Sequence, residues 1–390
     1  MVWLCLILIP VAAAISLPVT ALMIRLGHRL RTFDSPGVPG QVKAPARRVP
    51  NTGGVAIFWA IALPMIVGLG LVWAGADIWP RAVADVLKPA LEHMAGIRQQ
   101  TPLAMLVLVG AAMLHVLGLI DDRRPMGPWA KLAVMAVPPL VIVLLYPETR
   151  LLTMLDAHVG GRWASVVVTL VWFLVVTNAL NFMDNMDGLA AGVAAIASAC
   201  FLAGTLVHER PQWFVAACLA LIVGAGGGFL VFNYRPGRGG AKIFMGDGGS
   251  LVLGFLLAFL TVRTTYVAGE GSGMAGGWYG VFMPLIVLAV PIYDFVSVCS
   301  IRISQGRSPF VGDRQHLSHR LVKLGLSEGR AVLIIYGLTA ITGLSGVVMG
   351  SLRPWQAVVV GVQAIVILMV VGMFEYSRGG VEPGERGRRG

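Results

Sequence analysis

Charge is what this 390-residue chain has least of: 13% of its residues are Asp, Glu, Lys or Arg, against roughly 25% in an average soluble domain. With 57% of residues from the hydrophobic set, an ordinary soluble globular domain is excluded. So is a wholly disordered chain, which needs low hydrophobicity and high charge density. Acids are the scarcer sign, 19 against 30 Lys and Arg, for a formal charge of +11. Cysteine is nearly absent. Cys5, Cys200, Cys218 and Cys299 sit singly in apolar runs without CxxC spacing, which excludes a disulfide framework and a cysteine zinc site. No Lys or Arg precedes the first apolar run, and Arg25 follows it. A cleavable signal peptide has the opposite order, so this run is expected to be a retained helix. No nucleic-acid motif accompanies the positive charge, and no nucleic-acid partner is expected.

What is there is apolar length. Runs free of Lys and Arg fall near 1–24, 53–76, 102–120, 132–147, 163–183, 188–207, 211–234, 248–262, 276–301, 331–352 and 354–374. About 20 apolar residues cross a bilayer, and Gly and Pro are tolerated there. The pattern predicts an all-α, polytopic transmembrane helix bundle of about eleven spans. The runs 132–147 and 248–262 are short, so their flanks must contribute. One membrane domain is expected over 1–376, followed by a disordered basic tail over 377–390. Segment 77–101 has room for a short interfacial helix, and Gly224 to Gly228 allow close helix approach.

Lys and Arg divide unequally between alternate loops. Arg81, Lys88, Arg98, Arg150, Arg162, Arg210, Arg263 and Arg353 lie on one side, eight of the 30, and the other 22 lie opposite. The positive-inside rule makes the 22-cation side cytoplasmic, with the N-terminus outside and the C-terminus inside. The charge then reports topology and attraction to anionic lipid or substrate.

The few acids gather at helix ends on that same side. Asp121 and Asp122 close the third span in Gly-Leu-Ile-Asp-Asp-Arg-Arg. Adjacent carboxylates repel, so the pair calls for a cation or a shared proton. Asn178, Asn181, Asp184 and Asp187 recur every third residue, so neighbours in the series share a helical face. Asp247 opens the eighth span in Gly246-Asp-Gly-Gly-Ser250. That start is a good N-cap, and its small residues equally let backbone N–H groups approach a phosphate while Asp247 offers Mg²⁺ an oxygen. Asp313, His316, His319 and Arg320 stand in a cationic loop with Arg302, Arg307 and Arg314. A zinc site there lacks a third strong ligand, and contact with a diphosphate or sugar suits the surroundings better. His115 and Asp294 are intramembrane polar groups that fit interhelical hydrogen bonds as well as function.

Taken in order, these motifs resemble the polyprenyl-phosphate N-acetylhexosamine-1-phosphate transferase superfamily (glycosyltransferase 4 type). The resemblance runs from the Asp34-Ser-Pro loop and Arg47-Arg-Val-Pro-Asn-Thr-Gly-Gly54 through the His316-Leu-Ser-His319 loop. It implies a Mg²⁺-dependent enzyme of the bacterial cytoplasmic membrane, with Mn²⁺ as an alternative ion. Such enzymes move a phospho-sugar from a UDP-N-acetylhexosamine to a polyprenyl phosphate at the cytoplasmic face and release UMP. It implies catalytic roles for Asp121, Asp122, Asp184 and Asp187, and metal binding by Asp247 with Asn181. Substrate contacts are implied for Asn178, Asn181, Lys43, Arg48, Arg302, Arg307, Asp313, His316, His319 and Arg320. A homodimer is known in the family.

Three departures stand out. Pro125 replaces a third Asp common in the first motif. Asn185 replaces the Gly in Asp-Gly-x-Asp-Gly, and Asn tolerates positive φ, so the turn is expected to survive. Ser318 replaces a histidine common between the outer pair. The His loop and the eleventh span resemble the N-acetylglucosamine-1-phosphate branch, with undecaprenyl phosphate as acceptor and a lipid-linked cell-envelope glycan as product. The phospho-N-acetylmuramoyl-pentapeptide branch is the alternative. An ion-coupled transporter would also place carboxylates among helices, but near the midplane and in repeated halves, and no repeat is visible.

Overall fold

The computed structural model describes residues 1–33, 47–75, 79, 81–153, 156, 158–207, 211–237, 239–267, 282–310, 312–349 and 352–379. Lys43, the Asp34-Ser-Pro stretch and the tail beyond Gly379 lie outside the described residues. The chain runs through α1 (Val2–Leu30), α2 (Gly54–Ala74), α3 (Arg81–Leu91), α4 (Met94–Asp121) and α5 (Pro128–Leu145). It continues through α6 (Trp163–Met183), α7 (Leu189–Val207), α8 (Trp213–Asn233) and α9 (Asp247–Val267). The last elements are α10 (Met283–Val287), α11 (Ala289–Ser304), α12 (Leu317–Lys323), α13 (Glu328–Met349) and α14 (Pro354–Gly379). Among the described residues the one β-bridge joins Phe33 to Pro50.

Ten of these helices are long and apolar enough to cross a membrane unaided. The remaining expected span, 276–301, is divided into α10 and α11 at Leu288. Pro291 accounts for the break, because it has no N–H to offer the Val287 carbonyl and its ring crowds that oxygen. The two short runs gain their flanks: α5 begins at Pro128, at a first helical position where Pro costs nothing, and α9 extends to Val267. A short helix, α3, does occupy part of 77–101.

The centre of the bundle is α9, buried over 83% of its apolar window, whereas α14 is buried over 11% and sits at the rim. Leu253, Phe255, Leu257 and Phe259 of α9 are all buried, against α4 and α6 among others. Trp172 of α6 donates its indole N–H to Thr261 Oγ1 of α9 at 3.0 Å. The close approach expected at Gly224 to Gly228 brings α8 onto α1. A Cβ at Gly228 would stand 2.8 Å from the Ser16 Cβ, and Ser16 Oγ donates to the Ala225 carbonyl at 2.8 Å.

Hydrogen bonds show which helix ends share a face. Cys5 Sγ donates to the Trp213 carbonyl at 3.9 Å, so α1 and α8 lie with the start of one near the start of the other. Beyond the opposite end of α1, Asn51 N–H donates to the Thr32 carbonyl at 2.9 Å. Segment 50–54 is then tied to the approach to α9: Phe244 N–H donates to the Pro50 carbonyl at 2.8 Å, and the N–H groups of Gly53 and Gly54 donate to the carbonyls of Phe244 and Met245, each at 2.9 Å. This end of the bundle carries every site residue expected from sequence that falls on described residues. Met1 is at the other.

Candidate active site

The densest part of the site forms where α4, α5, α6 and α9 meet. Asp121 closes α4 and Asp122 caps it, where helix N–H groups are already used and the carboxylates are free to turn outward. Lys131, in the first turn of α5, donates its ammonium to Asp121 Oδ2 at 2.9 Å and also to Asp247 Oδ2. Met126 N–H holds the other Asp121 oxygen at 2.6 Å. Asp122 faces the start of α9, accepting the Asp247 N–H at 3.2 Å and 3.1 Å on its two oxygens. A carboxylate at a helix N-terminus is stabilised by the free N–H groups and the positive helix end. Burial, with the negative charge of Asp247 beside it, nevertheless pushes the Asp122 carboxyl well above the usual carboxylate range. Asn181 completes the cluster, its amide donating to Asp247 Oδ1 at 2.8 Å and to Ser250 Oγ at 2.9 Å.

Glycines make the crossing possible. A Cβ on Gly118 would overlap the backbone of Asp247 and Gly248, and one on Gly54 the backbone of Gly248 and Gly249. Gly246 turns at φ +68°, and a Cβ there would stand 2.5 Å from both Asn51 Oδ1 and Asp122 Oδ2. Asn51 Oδ1 is buried with no hydrogen-bond partner among the described residues, so it adds an acceptor beside Asp122.

The neighbouring turn between α6 and α7 carries Asp184, Asn185 and Asp187. Asp184 adds a third negative charge near Asp122. Asp187 is instead committed to the scaffold: its Oδ2 accepts from Arg47 at 2.9 Å and from Ala241 N–H at 2.7 Å, and its Oδ1 from Arg47 at 2.5 Å. Arg47 also lies over the Phe244 ring at 5.0 Å. Positive φ falls on Gly188, at +83°, and not on Asn185 as expected. Asn185 works through its amide, donating to the Phe182 carbonyl at 2.6 Å and accepting from Ser318 Oγ at 2.5 Å. Two of the three residues that depart from the family pattern thus bond to each other. Asn178 is turned onto its own helix, donating to the Leu174 carbonyl at 2.8 Å.

The α11–α12 loop is the third part. Asp294, buried within the expected ninth span, accepts from Leu317 N–H at 2.6 Å and pairs with His316 Nδ1 at 2.8 Å. His316 packs edge-on against Phe182, and Arg302 lies over that ring at 5.3 Å, so the loop leans on α6. His319 lies 6.4 Å from the His316 ring, and burial, with His316 and Arg314 nearby, pulls its imidazole down to about 4. Three residues expected on substrate are engaged inside the fold. Arg302 donates to the Pro309 carbonyl at 2.6 Å and to Asp313 at 3.0 Å. Arg320 donates to Glu375 at 2.9 Å, Ser297 Oγ at 3.0 Å and the Gln315 carbonyl at 2.5 Å. Arg48 and Arg307 are exposed.

Sequence reasoning did not assign Lys131, Ser250, Asn51 or Glu375 to the site. Lys131 carried a readable signal. A cation in the first turn of a helix opposes the helix dipole, so it needs a carboxylate partner, and Asp121 and Asp247 supply it.

Among the described residues no three His, Cys, Asp or Glu side chains converge tightly enough to hold an ion alone. The donor set still suits Mg²⁺, which binds through one or two carboxylates and takes its other oxygens from water and substrate phosphates. Asp121 and Asp247 share a single ammonium, which leaves negative charge for a divalent ion to balance. Asn181, with its amide turned half a revolution, presents a carbonyl oxygen beside Asp247.

The chain resembles known proteins over most of its length. Residues 104–265, from within α4 to near the end of α9, match the model of glycosyl transferase family 4. The chain is 27% identical to the probable undecaprenyl-phosphate N-acetylglucosaminyl 1-phosphate transferase of Bacillus subtilis, over 90% of this chain and 87% of that protein. It is 30% identical to the decaprenyl-phosphate N-acetylglucosaminephosphotransferase of Mycolicibacterium smegmatis, over 89% and 83%. A phospho-N-acetylmuramoyl-pentapeptide-transferase of Levilactobacillus brevis is 31% identical over a shorter stretch, 62% of this chain and 72% of that protein. With the aspartate, Gly-Asp and histidine segments gathered at one end of a helical bundle, the chain belongs to glycosyl transferase family 4.

Proposed function

We propose that this protein transfers N-acetylglucosamine 1-phosphate from UDP-N-acetylglucosamine to a polyprenyl phosphate at the cytoplasmic membrane face. UMP is released, and the product is a lipid-linked diphosphate sugar. The observation that carries the reading is the cluster in which Lys131 bridges Asp121 and Asp247 while Asp122 holds the Asp247 N–H. In the reaction an oxygen of the acceptor phosphate attacks the phosphorus bearing the sugar, and the bond to the UMP oxygen breaks. Both partners are anionic, so positioning and charge stabilisation carry most of the catalysis. Mg²⁺, held by Asp247 and Asn181 together with substrate oxygens, would supply charge neutralisation at the diphosphate.

The chain's own groups divide the rest. Lys131, once phosphate enters, has an ammonium to direct at a phosphate oxygen in place of one carboxylate. Asp122, with its raised pKa, holds or takes a proton at the entrance of the acceptor phosphate. Asp121 keeps Lys131 aimed. Asp184 lies toward the nucleotide, and His316 and His319 face the diphosphate-sugar. The pocket's place at helix ends suits both substrates, since the lipid arrives through the bilayer and the nucleotide through water. The relatives aligned over nine-tenths of the chain act on N-acetylglucosamine, which favours that donor over the pentapeptide one.

The test is UMP release by the purified protein with Mg²⁺ and undecaprenyl phosphate, comparing UDP-N-acetylglucosamine, UDP-N-acetylgalactosamine and UDP-N-acetylmuramoyl-pentapeptide. Acceptor-dependent release from the first donor alone, abolished in Asp247→Ala, is expected. Release from the pentapeptide donor would reassign the branch, and release that persists in Asp247→Ala would overturn the site.

A further inference from the structure

Asp247 can act only if the first turn of α9 is held at a fixed place, and one face of α4 holds that turn at two points. Asp122 accepts the Asp247 N–H. Seven residues earlier, and therefore two turns down the same helical face, His115 Nδ1 meets the Gly248 carbonyl at 2.7 Å. A carbonyl only accepts, so Nδ1 carries the hydrogen. Between the two grips lies Gly118, where a Cβ would overlap the α9 backbone. The grip is itself braced, because the His115 ring stacks on Phe58 of α2 at 4.7 Å with an interplanar angle of 4°. His115 is 6% exposed, so water offers the Gly248 carbonyl no ready substitute.

We propose that His115 is a positioning residue for Asp247, fixing the peptide that follows it so that the carboxylate meets a divalent cation in the right direction. The proposal rests on the cation-binding reading of Asp247. It goes beyond a packing role, because a packing role needs only the ring, whereas positioning needs the Nδ1–H donor. Partners that orient a ligand from behind are worth about 10- to 100-fold in metal affinity.

The two roles separate in the variants. His115→Phe keeps a flat ring against Phe58 and removes the donor; His115→Asn removes the ring and keeps an N–H donor near the Nδ1 position; Phe58→Leu removes the stack and leaves the hydrogen bond. The probe is Mn²⁺ binding to the substrate-free protein in detergent, followed by loss of the free-ion electron paramagnetic resonance signal, with Asp247→Ala as reference. Expected is an approximately tenfold weaker Mn²⁺ affinity in His115→Phe, with His115→Asn and Phe58→Leu within about threefold of the parent. Unchanged affinity in His115→Phe, while Asp247→Ala loses binding, would overturn the proposal and leave the cation site standing. Parent-like binding in Asp247→Ala would overturn the cation reading itself. If His115→Phe does not fold, the other two decide: loss in His115→Asn equal to that in Asp247→Ala, or a tenfold loss in Phe58→Leu, shows that ring packing matters and refutes the donor role.

Discussion

Two charged regions lie side by side at the same end of the bundle and are built on opposite rules. Around Lys131, the carboxylates of Asp121 and Asp247 share one ammonium, with Asp122 against the start of α9 beside them, and the surplus is negative. Around α12, three carboxylates each have a partner: Asp313 takes Arg302, Glu375 takes Arg320, and Asp294 takes the His316 ring. A matched buried pair satisfies itself and fixes geometry. An unmatched cluster is costly when empty and is relieved by a bound ion or phosphate. The difference assigns the chemistry to the first region and its alignment to the second.

The comparison breaks most visibly at Lys131. Lys131→Met removes the only ammonium bonded to the cluster among the described residues, and UMP turnover is expected to fall by about 10³-fold, as for loss of one key charge-stabilising group. Retained turnover would mean that the surplus charge has no part in the reaction. At Asp294, Asn keeps an oxygen for Leu317 N–H but presents an amide to His316, which reverses the ring's hydrogen-bond role. A loss of about 10- to 100-fold in kcat/KM for the sugar nucleotide is expected, with the melting temperature unchanged within a few degrees. A large melting loss with kcat/KM preserved would make the pair purely structural. At the far end of the matched region, Glu375→Gln keeps a hydrogen-bond acceptor for Arg320 and Tyr293 and removes the charge. It is expected to cost about 1 kcal/mol of stability and leave turnover within about twofold, as read by thermal unfolding and UMP release. A tenfold loss of turnover without a melting shift would place α14 in the chemistry.

The same contrast explains what could be read without the structure. Apolar runs mark the helices because each span must satisfy its own backbone and face lipid or core, and ten of eleven spans appear unbroken where hydropathy puts them. Hydropathy does not register a missing N–H, so the break at Leu288 followed from Pro291 and not from the apolar count. Asp121, Asp122 and Asp247 were legible because acids are rare in such a chain. Lys131 was passed over, since as a cation on the crowded side it reads first as a topology signal, and only its place in a first helical turn asks for a carboxylate. Arg302 and Arg320 looked free for substrate because charge spacing alone does not show that Arg302 turns back onto Asp313 of its own loop, or that Arg320 reaches Glu375, 55 residues on. Asn185 and Ser318 looked like two separate departures, and only the fold brings them within 2.5 Å.

The smallest expected effect tests whether the matched region is also insulated from pH. Burial pulls His319 from 6.5 to about 4, so its imidazole stays neutral in the folded protein at the pH where an exposed histidine begins to charge. The unfolded chain, with its His319 near 6.5, takes up a proton first as pH falls. Stability therefore declines between about pH 6.5 and 4, and is fully present above that window. Because His319 remains partly exposed, solvent screening keeps the change modest. His319→Gln removes this titration, so the drop in melting temperature between pH 7 and pH 5 should be smaller in the variant than in the parent. An identical drop would mean that His319 titrates alike in both states and that its surroundings are wetter than the structure describes. A larger drop would mean that His319 is charged in the folded protein, which would move it from the matched, neutral region into the charged cluster beside it.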